Sequence, residues 1–475
     1  MSKKNQNYTN RKQNRFQPER MRGNVFVNNS GKQWLPGENG RAAKVERLLR
    51  GVKEKKKEIA GNMAGYKDSG IEYIGQVPKD WEVLRLKNIS NIYAAKEYLF
   101  GEWPVEKNGK PYSPFGEWSS GNEVIITGRV GTIGQYEMLE KNPKKKILIN
   151  DNRLLIRPFT EDYRKKALSH FLFWAMAIVN LNDIITGSAV PLITATSLLK
   201  KRVVIPPLPE QQRISDFLDT KCGILDRTID AVSRQIEDLE KYKKALITKT
   251  VTKGICKKGE PERTMKDSGV EWIGGIPEEW DVSKVKYNFS TFKKIPGKES
   301  EKYERLSLTM NGVKHREKWT AEGLQPKDFM SYQLLRKGDL VFRLIDLQNP
   351  SKSRRVALSH DTGLISPAYT ILHADNNKML PEYAEMFFLM MSYLDVFNAL
   401  GSCGVRSSIN NAELMKIPVP VPPLAEQQQI ADYLDEKCKN IDNRVQKRRE
   451  QLEWLMEYKK SLIFDYVTGK KRVEK

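Results

Sequence analysis

Residues 66–87 read YKDSGIEYIGQVPKDWEVLRLK, and residues 265–286 read MKDSGVEWIGGIPEEWDVSKVK. At an offset of 199, 11 of the 22 positions are identical, among them Lys67/Lys266, Asp68/Asp267, Gly70/Gly269, Glu72/Glu271, Gly75/Gly274, Pro78/Pro277 and Trp81/Trp280. Chance does not produce that agreement, so the chain carries an internal repeat. A second pair lies downstream. PPLPEQQRISDFLDTKCGILDRTID (206–230) matches PPLAEQQQIADYLDEKCKNIDNRVQ (422–446) at an offset of 216, and the match continues into Tyr242-Lys243-Lys244 and Tyr458-Lys459-Lys460.

Between these markers the two copies share an outline but few residues. Each has a β-branched, strand-like run, 123–133 (EVIITGRVGTI) or 339–345 (DLVFRLI). Each then has an apolar helix pattern, 169–179 or 382–394, followed by a Gly-Ser step at Gly187-Ser188 or Gly401-Ser402. Each ends in a short apolar strand running into Pro-Pro, 203–207 or 417–423. A common scaffold with different fillings predicts two recognition tasks of one kind.

The Pro-Pro segments are helix starts, because proline stops a strand and is tolerated in the first helical turn. Glu210 and Glu426 suit the positive N-terminal end. The apolar residues that follow keep steps of three and four: Leu225, Ile229, Val232, Ile236, Leu239 and Leu246, then Ile441, Val445, Leu452, Leu455 and Leu462, with Arg448 breaking the second stripe. That spacing predicts a coiled-coil seam between two long antiparallel helices of roughly 40 residues, about 60 Å each. The simpler alternative has each helix packing on its own domain. The expected fold class is α/β (α+β): two globular domains joined by the two helices, related by a pseudo-twofold repeat.

The formal net charge is +22, from 81 basic and 59 acidic residues, which favours a polyanionic partner over the plainer readings of solubility alone or a basic tail on a neutral enzyme. Nine Lys and seven Arg against four Glu place +12 of it in residues 1–57. The first 35 residues are too polar to bury a core and are expected to be mobile. Residues 41–60 form a potential basic helix interrupted by Gly51. No hydrophobic signal region stands near Met1, and no apolar run approaches the ~20 residues of a membrane span. Cys222, Cys256, Cys403 and Cys438 form no CxxC pair, so no metal site and a reducing cytoplasmic setting are expected. Cys222 and Cys438 correspond in the repeat, which argues for packing.

With KDSGxExIGxxPxxW and PPLxEQQxIxDxLDxK both present twice and in order, the sequence resembles the specificity (S) subunits of type I restriction–modification enzymes over about residues 65–470. GDLVFRLIDLQNPSKSRRVAL (338–358) also looks like part of a recognition domain of that family. Composition marks a basic, largely disordered extension at 1–64, and the resemblance implies target recognition domains at 65–206 and 255–422 (the latter with its linker), and spacer helices at 207–254 and 423–470. It implies that each domain reads one half of a bipartite, asymmetric site on double-stranded DNA. It further implies that the helices set the gap, that two methyltransferase (M) subunits dock on them, and that restriction (R) subunits join. AdoMet, ATP and Mg²⁺ are then expected on the partners, and this chain does no chemistry. The extension at 1–64 departs from the family, whose members usually begin close to the KDSG block.

A catalytic role finds no support in the residues. The Gly-Lys pairs lack the spacing and the Ser/Thr of a phosphate-binding loop. Asn349-Pro350-Ser351 lacks the second proline and the aromatic residue of an adenine methyltransferase motif, and Glu457-Tyr458-Lys459 has nuclease lettering but lies on the seam helix. The alternative from another class is a coiled-coil scaffold or RNA-binding adaptor without DNA sequence specificity. Base readers should be polar residues on loops and helix ends. In the first domain these are Arg129, Asn152, Arg153, Ser188 and Thr194. In the second they are Arg343, Gln348, Lys352, Arg354, Arg355, Arg406 and Ser407. Trp81 and Trp280 are expected to close their domains' cores.

Overall fold

The computed structural model describes residues 22–23, 65–94, 124–127, 133–138, 153–159, 166–187, 191–255, 259, 263–317, 329–348, 354–401 and 407–473. The predicted basic helix at 41–60 lies outside them. Within the first 35 residues, Arg22–Gly23 form a two-residue strand paired with Tyr136 and Glu137.

The first repeat block folds the same way twice. Tyr66–Asp68 pairs antiparallel with Gln76–Pro78, and Met265–Asp267 with Gly275–Pro277. The turn between them explains the repeated small residues. Gly70, Gly75, Gly269 and Gly274 all have φ between 64° and 71°, where a side chain is strained. Asp68 and Asp267 accept the amides of Gly70 and Gly269 at 2.9 and 3.0 Å. The chain then enters Glu82–Arg85, which pairs antiparallel with Arg202–Ile205; Asp281–Lys284 pairs likewise with Pro418–Val421. These pairings carry each Trp block to the start of the long helix that follows its domain.

Among the described residues the domain interiors differ. The first domain holds a five-stranded antiparallel sheet in the order 22–23, 136–138, 124–127, 153–158, 90–94. The second holds two four-stranded sheets, 289–290, 370–374, 340–342, 356–358 and 312–316, 305–309, 363–365, 333–335, with one parallel pairing. Each packs an apolar helix, α1 (Ser169–Met176) or α3 (Pro381–Tyr393), whose residues are buried on most sides. The content is mixed helix and sheet.

The long helices are α2 (Leu208–Lys253, 46 residues) and α4 (Leu424–Val467, 44 residues). The compact units do not follow chain order. One comprises residues up to Ile229 plus Glu453 onward; the other comprises Asp230–Leu452. Each domain therefore packs on the beginning of its own long helix and on the end of the other. In the first unit Leu462, Ile463 and Val467 of α4 join the core of Trp81, Phe171, Phe173 and Ile214. In the second, Ile247 and Val251 of α2 join Trp280, Phe387, Phe388 and Ile430.

Within each unit the helix segments run antiparallel. Lys459 reaches Asp226 at 2.6 Å while Phe217 packs on Tyr466; Lys243 reaches Asp442 at 2.6 Å while Arg449 reaches Glu240 at 2.7 Å. Asp226/Asp442 and Lys243/Lys459 are the same two repeat positions used twice. The predicted seam residues are buried or half-buried throughout. Towards the helix ends the most deeply buried positions move to Ile247, Val251 and Val467, because there the neighbour is a globular domain and no longer a single helix. Arg448, which interrupts the stripe, is exposed and bonds Gln451.

Candidate nucleic-acid interface

The shared blocks form a joint. Trp81 and Trp280 are 0% exposed, as expected of core residues. Each indole Nε1 donates to the glutamate at the head of the long helix, Trp81 to Glu210 at 3.0 Å and Trp280 to Glu426 at 2.8 Å. The next residue completes the tie. Gln211 Oε1 accepts the amide of Leu168 at 2.8 Å, while its Nε2 donates to the carbonyls of Lys166 and Pro206 at 2.7 and 2.8 Å. Gln427 does the same with Leu380, Lys378 and Pro422 at 2.8, 2.9 and 2.8 Å. Leu168 and Leu380 are the N-caps of α1 and α3, so each buried glutamine satisfies backbone groups that would otherwise be orphaned.

The role assigned to Glu210 and Glu426 from helix polarity thus extends to an indole acceptor, a signal present in their co-occurrence with the repeated tryptophans. Two arginines outside both blocks finish the joint. Arg263 contacts Glu426 and Glu279, and Arg472 contacts Asp80 at 2.8 Å and Glu210 at 3.6 Å.

The candidate base readers fall into three groups. Arg129, Asn152, Ser188, Lys352 and Arg406 lie outside the described residues. Arg153 opens the strand Arg153–Pro158 opposite Thr127, and exposed Thr194 caps the helix Ala195–Leu199, its Oγ1 accepting the Ser197 amide at 3.1 Å. The others belong to the second domain. Arg354 turns back on its own fold, with Nε donating to Met310 O at 2.9 Å and Nη1 3.8 Å from Glu385.

Arg343, Arg355, Gln348 and Ser407 converge on one loop, residues 344–348; three of them are buried and Gln348 is exposed. Arg355 is 7% exposed and its guanidinium faces inward, onto the carbonyls of Ile345, Asp346 and Leu347. Burial, then the nearby Arg343 guanidinium, lowers its pKa. Ser407 is also buried, and its carbonyl receives the Leu347 amide at 3.1 Å. An Arg in a KSRR run reads as a surface cation; here it immediately precedes Val356–Leu358 and its side chain is the loop's internal support. Arg343 is buried beside it, its amide donating to Arg355 O at 2.8 Å. Gln348 is exposed.

Among the described residues, no cluster of three or more His, Cys, Asp or Glu is arranged to hold a metal ion, and no helix is long and apolar enough to cross a membrane.

The type I restriction modification DNA specificity domain model matches residues 78–241 and 368–453, more than half of the chain. The chain belongs to that family. Its relatives include the MjaVIII specificity subunit of Methanocaldococcus jannaschii, 24% identical over 433 residues that cover 84% of this chain and 95% of the relative. The EcoDI specificity subunit of Escherichia coli is 19% identical over 76% of this chain and 82% of its own length. Among solved structures, a chain from a study of complex assembly and conformational transition of the type I R-M system superposes with a TM-score of 0.53 at 14% identity, covering 83% of this chain and 99% of that one. The chain is thus a specificity subunit of a type I restriction–modification system.

Proposed function

We propose that the chain reads a bipartite, asymmetric site on double-stranded DNA, one half-site per domain, and presents its long helices to two methyltransferase subunits, with restriction subunits joining the assembly. The carrying observation is the contrast within the repeat. The joint of Trp, Glu and Gln is the same bond for bond in both copies, while among the described residues the first domain shows a five-stranded sheet and the second two four-stranded sheets. Identical joints suit identical partners; different domains suit different half-sites. Tyr242 and Tyr458 support the docking reading. They occupy the same repeat position and are 58% and 46% exposed, so packing within this chain does not account for both. AdoMet, ATP and Mg²⁺ belong to the partner subunits in this scheme, and the chain supplies specificity without chemistry.

The test is to co-express the chain with a type I methyltransferase subunit that assembles with it and map methylated adenines across the host genome. A two-part motif with a fixed gap is the expected result. A continuous palindrome, or no motif in a complex that assembles, refutes the reading.

A further inference from the structure

Resting on the reading of this chain as a DNA-specificity subunit, we infer that residues Ile345–Gln348 are a preorganised reading tip of the second domain, aimed at an A·T pair, and that Arg355 is the positioning residue that sets its shape.

One cation holds three successive carbonyls. Arg355 Nη1 donates to Ile345 O at 3.3 Å and to Asp346 O at 3.2 Å; Nη2 donates to Asp346 O at 3.2 Å and to Leu347 O. Turning consecutive carbonyls to one point forces the backbone out of regular geometry, and Asp346 sits at φ 54°. A non-glycine residue there is strained, and the strain persists only where the surroundings hold it.

The hold comes from three more sides. Leu347 N bonds Ser407 O, and Ile409 N bonds Leu344 O at 2.9 Å. A Cβ on Gly401 would stand 2.8 Å from Leu347 Cδ1 and 3.3 Å from Phe397 O, so a side chain there would displace Leu347. Ser407 Oγ in turn reaches Asn398 Oδ1 at 3.4 Å. Such rigid support is what a site needs to place side chains to within a fraction of an ångström.

The tip presents what base reading uses. Ile345 is 47% exposed although its neighbours Leu344 and Leu347 are buried, and Gln348 is exposed. A glutamine amide pairs with adenine N6 and N7 in the major groove, and an apolar side chain contacts the thymine methyl of the same pair. Behind the tip lie two buried guanidiniums, Arg343 and Arg355. Positive charge beneath the tip favours approach of a polyanion.

The test uses the full chain in complex with its methyltransferase subunit, comparing wild type with Gln348→Ala, Ile345→Ala, Arg355→Met and Arg355→Lys by mapping methylated sites. Gln348→Ala and Ile345→Ala are expected to relax an A·T preference at one position of one half-site by about tenfold or more, leaving the other half-site intact. Arg355→Met should relax that position and its neighbour, and Arg355→Lys should not rescue it, since an ammonium does not span three carbonyls. Should Arg355→Met fail to fold, the two exposed tip variants decide the matter. An unchanged motif in both of them overturns the inference. Lower complex yield with an unchanged motif in the Arg355 variants overturns the positioning role. A wild-type complex that directs no motif removes the underlying functional reading, and this inference with it.

Discussion

The two units of this molecule are alike where they join the helices and unlike in the described sheets beyond that joint. In both, an indole bonds a helix-initial glutamate, a buried glutamine bonds three backbone groups, and a cysteine packs beneath. Among the described residues, one carries a five-stranded sheet; the other carries two four-stranded sheets and a strained loop backed by arginine. The bonds that recur are those whose loss leaves a buried polar group unpaired, which is costly in any version of the domain. The surfaces that vary carry no such penalty. A duplicated protein can therefore change its reading faces while keeping its frame.

The sharpest way to break the comparison is to remove the two tryptophans. Trp81→Ala and Trp280→Ala are each expected to destabilise their own unit by about 3–5 kcal/mol, through lost burial and an orphaned glutamate. Urea unfolding followed by hydrogen exchange in each unit measures this. Losses that differ by more than about 2 kcal/mol mean the joints are not energetically equivalent.

The arginines that close the joints differ, and this sharpens the comparison. Arg263 contacts two carboxylates closely, whereas Arg472 is about half exposed and holds Glu210 at 3.6 Å. Arg263→Ala should destabilise the second unit by about 1–3 kcal/mol, and Arg472→Ala the first by about 0–1 kcal/mol. Exchange rates at Asp281–Lys284 and Glu82–Arg85 report each separately. The reverse order would show that the tail, and not the linker, is the firmer clamp.

The smallest effect concerns the paired cysteines. Burial pushes the Cys222 thiol up to about 12 and the Cys438 thiol up to about 11. Both therefore stay protonated at pH 8 and should alkylate at least ~100-fold more slowly in the folded protein than after denaturation, read peptide by peptide by mass spectrometry. The linked stability change has a definite sign. Above the ordinary thiol value of 9.0 the unfolded chain releases these protons while the folded chain keeps them, so stability falls as pH rises from about 9 towards 11–12. Equal labelling in folded and unfolded protein would show that one site is not the packed counterpart of the other.

Much of the frame was legible from residue order. The paired blocks, the strand runs, the apolar helices and the two long helices all appear where the repeat and the period of the apolar residues place them. The candidate readers were less legible. Arg355 and Gln348 stand seven residues apart in a polar stretch, and nothing in that spelling says that one faces in and the other out. Asp346 gives a weak signal, since Asp tolerates the left-handed region, but many Asp residues do so without supporting a loop.

By itself, then, the sequence determined that there are two copies, which parts they share, and which elements each contains, because local periodicity and self-similarity are written along the chain. Tertiary structure alone decided that the end of each long helix completes the other domain's core, that Glu210 and Glu426 serve an indole, and that Arg355 supports a loop from within. Those outcomes depend on contacts such as Tyr66 with Gly469, 403 residues apart. Burial and bonding across that separation follow from packing in three dimensions, which no local pattern encodes.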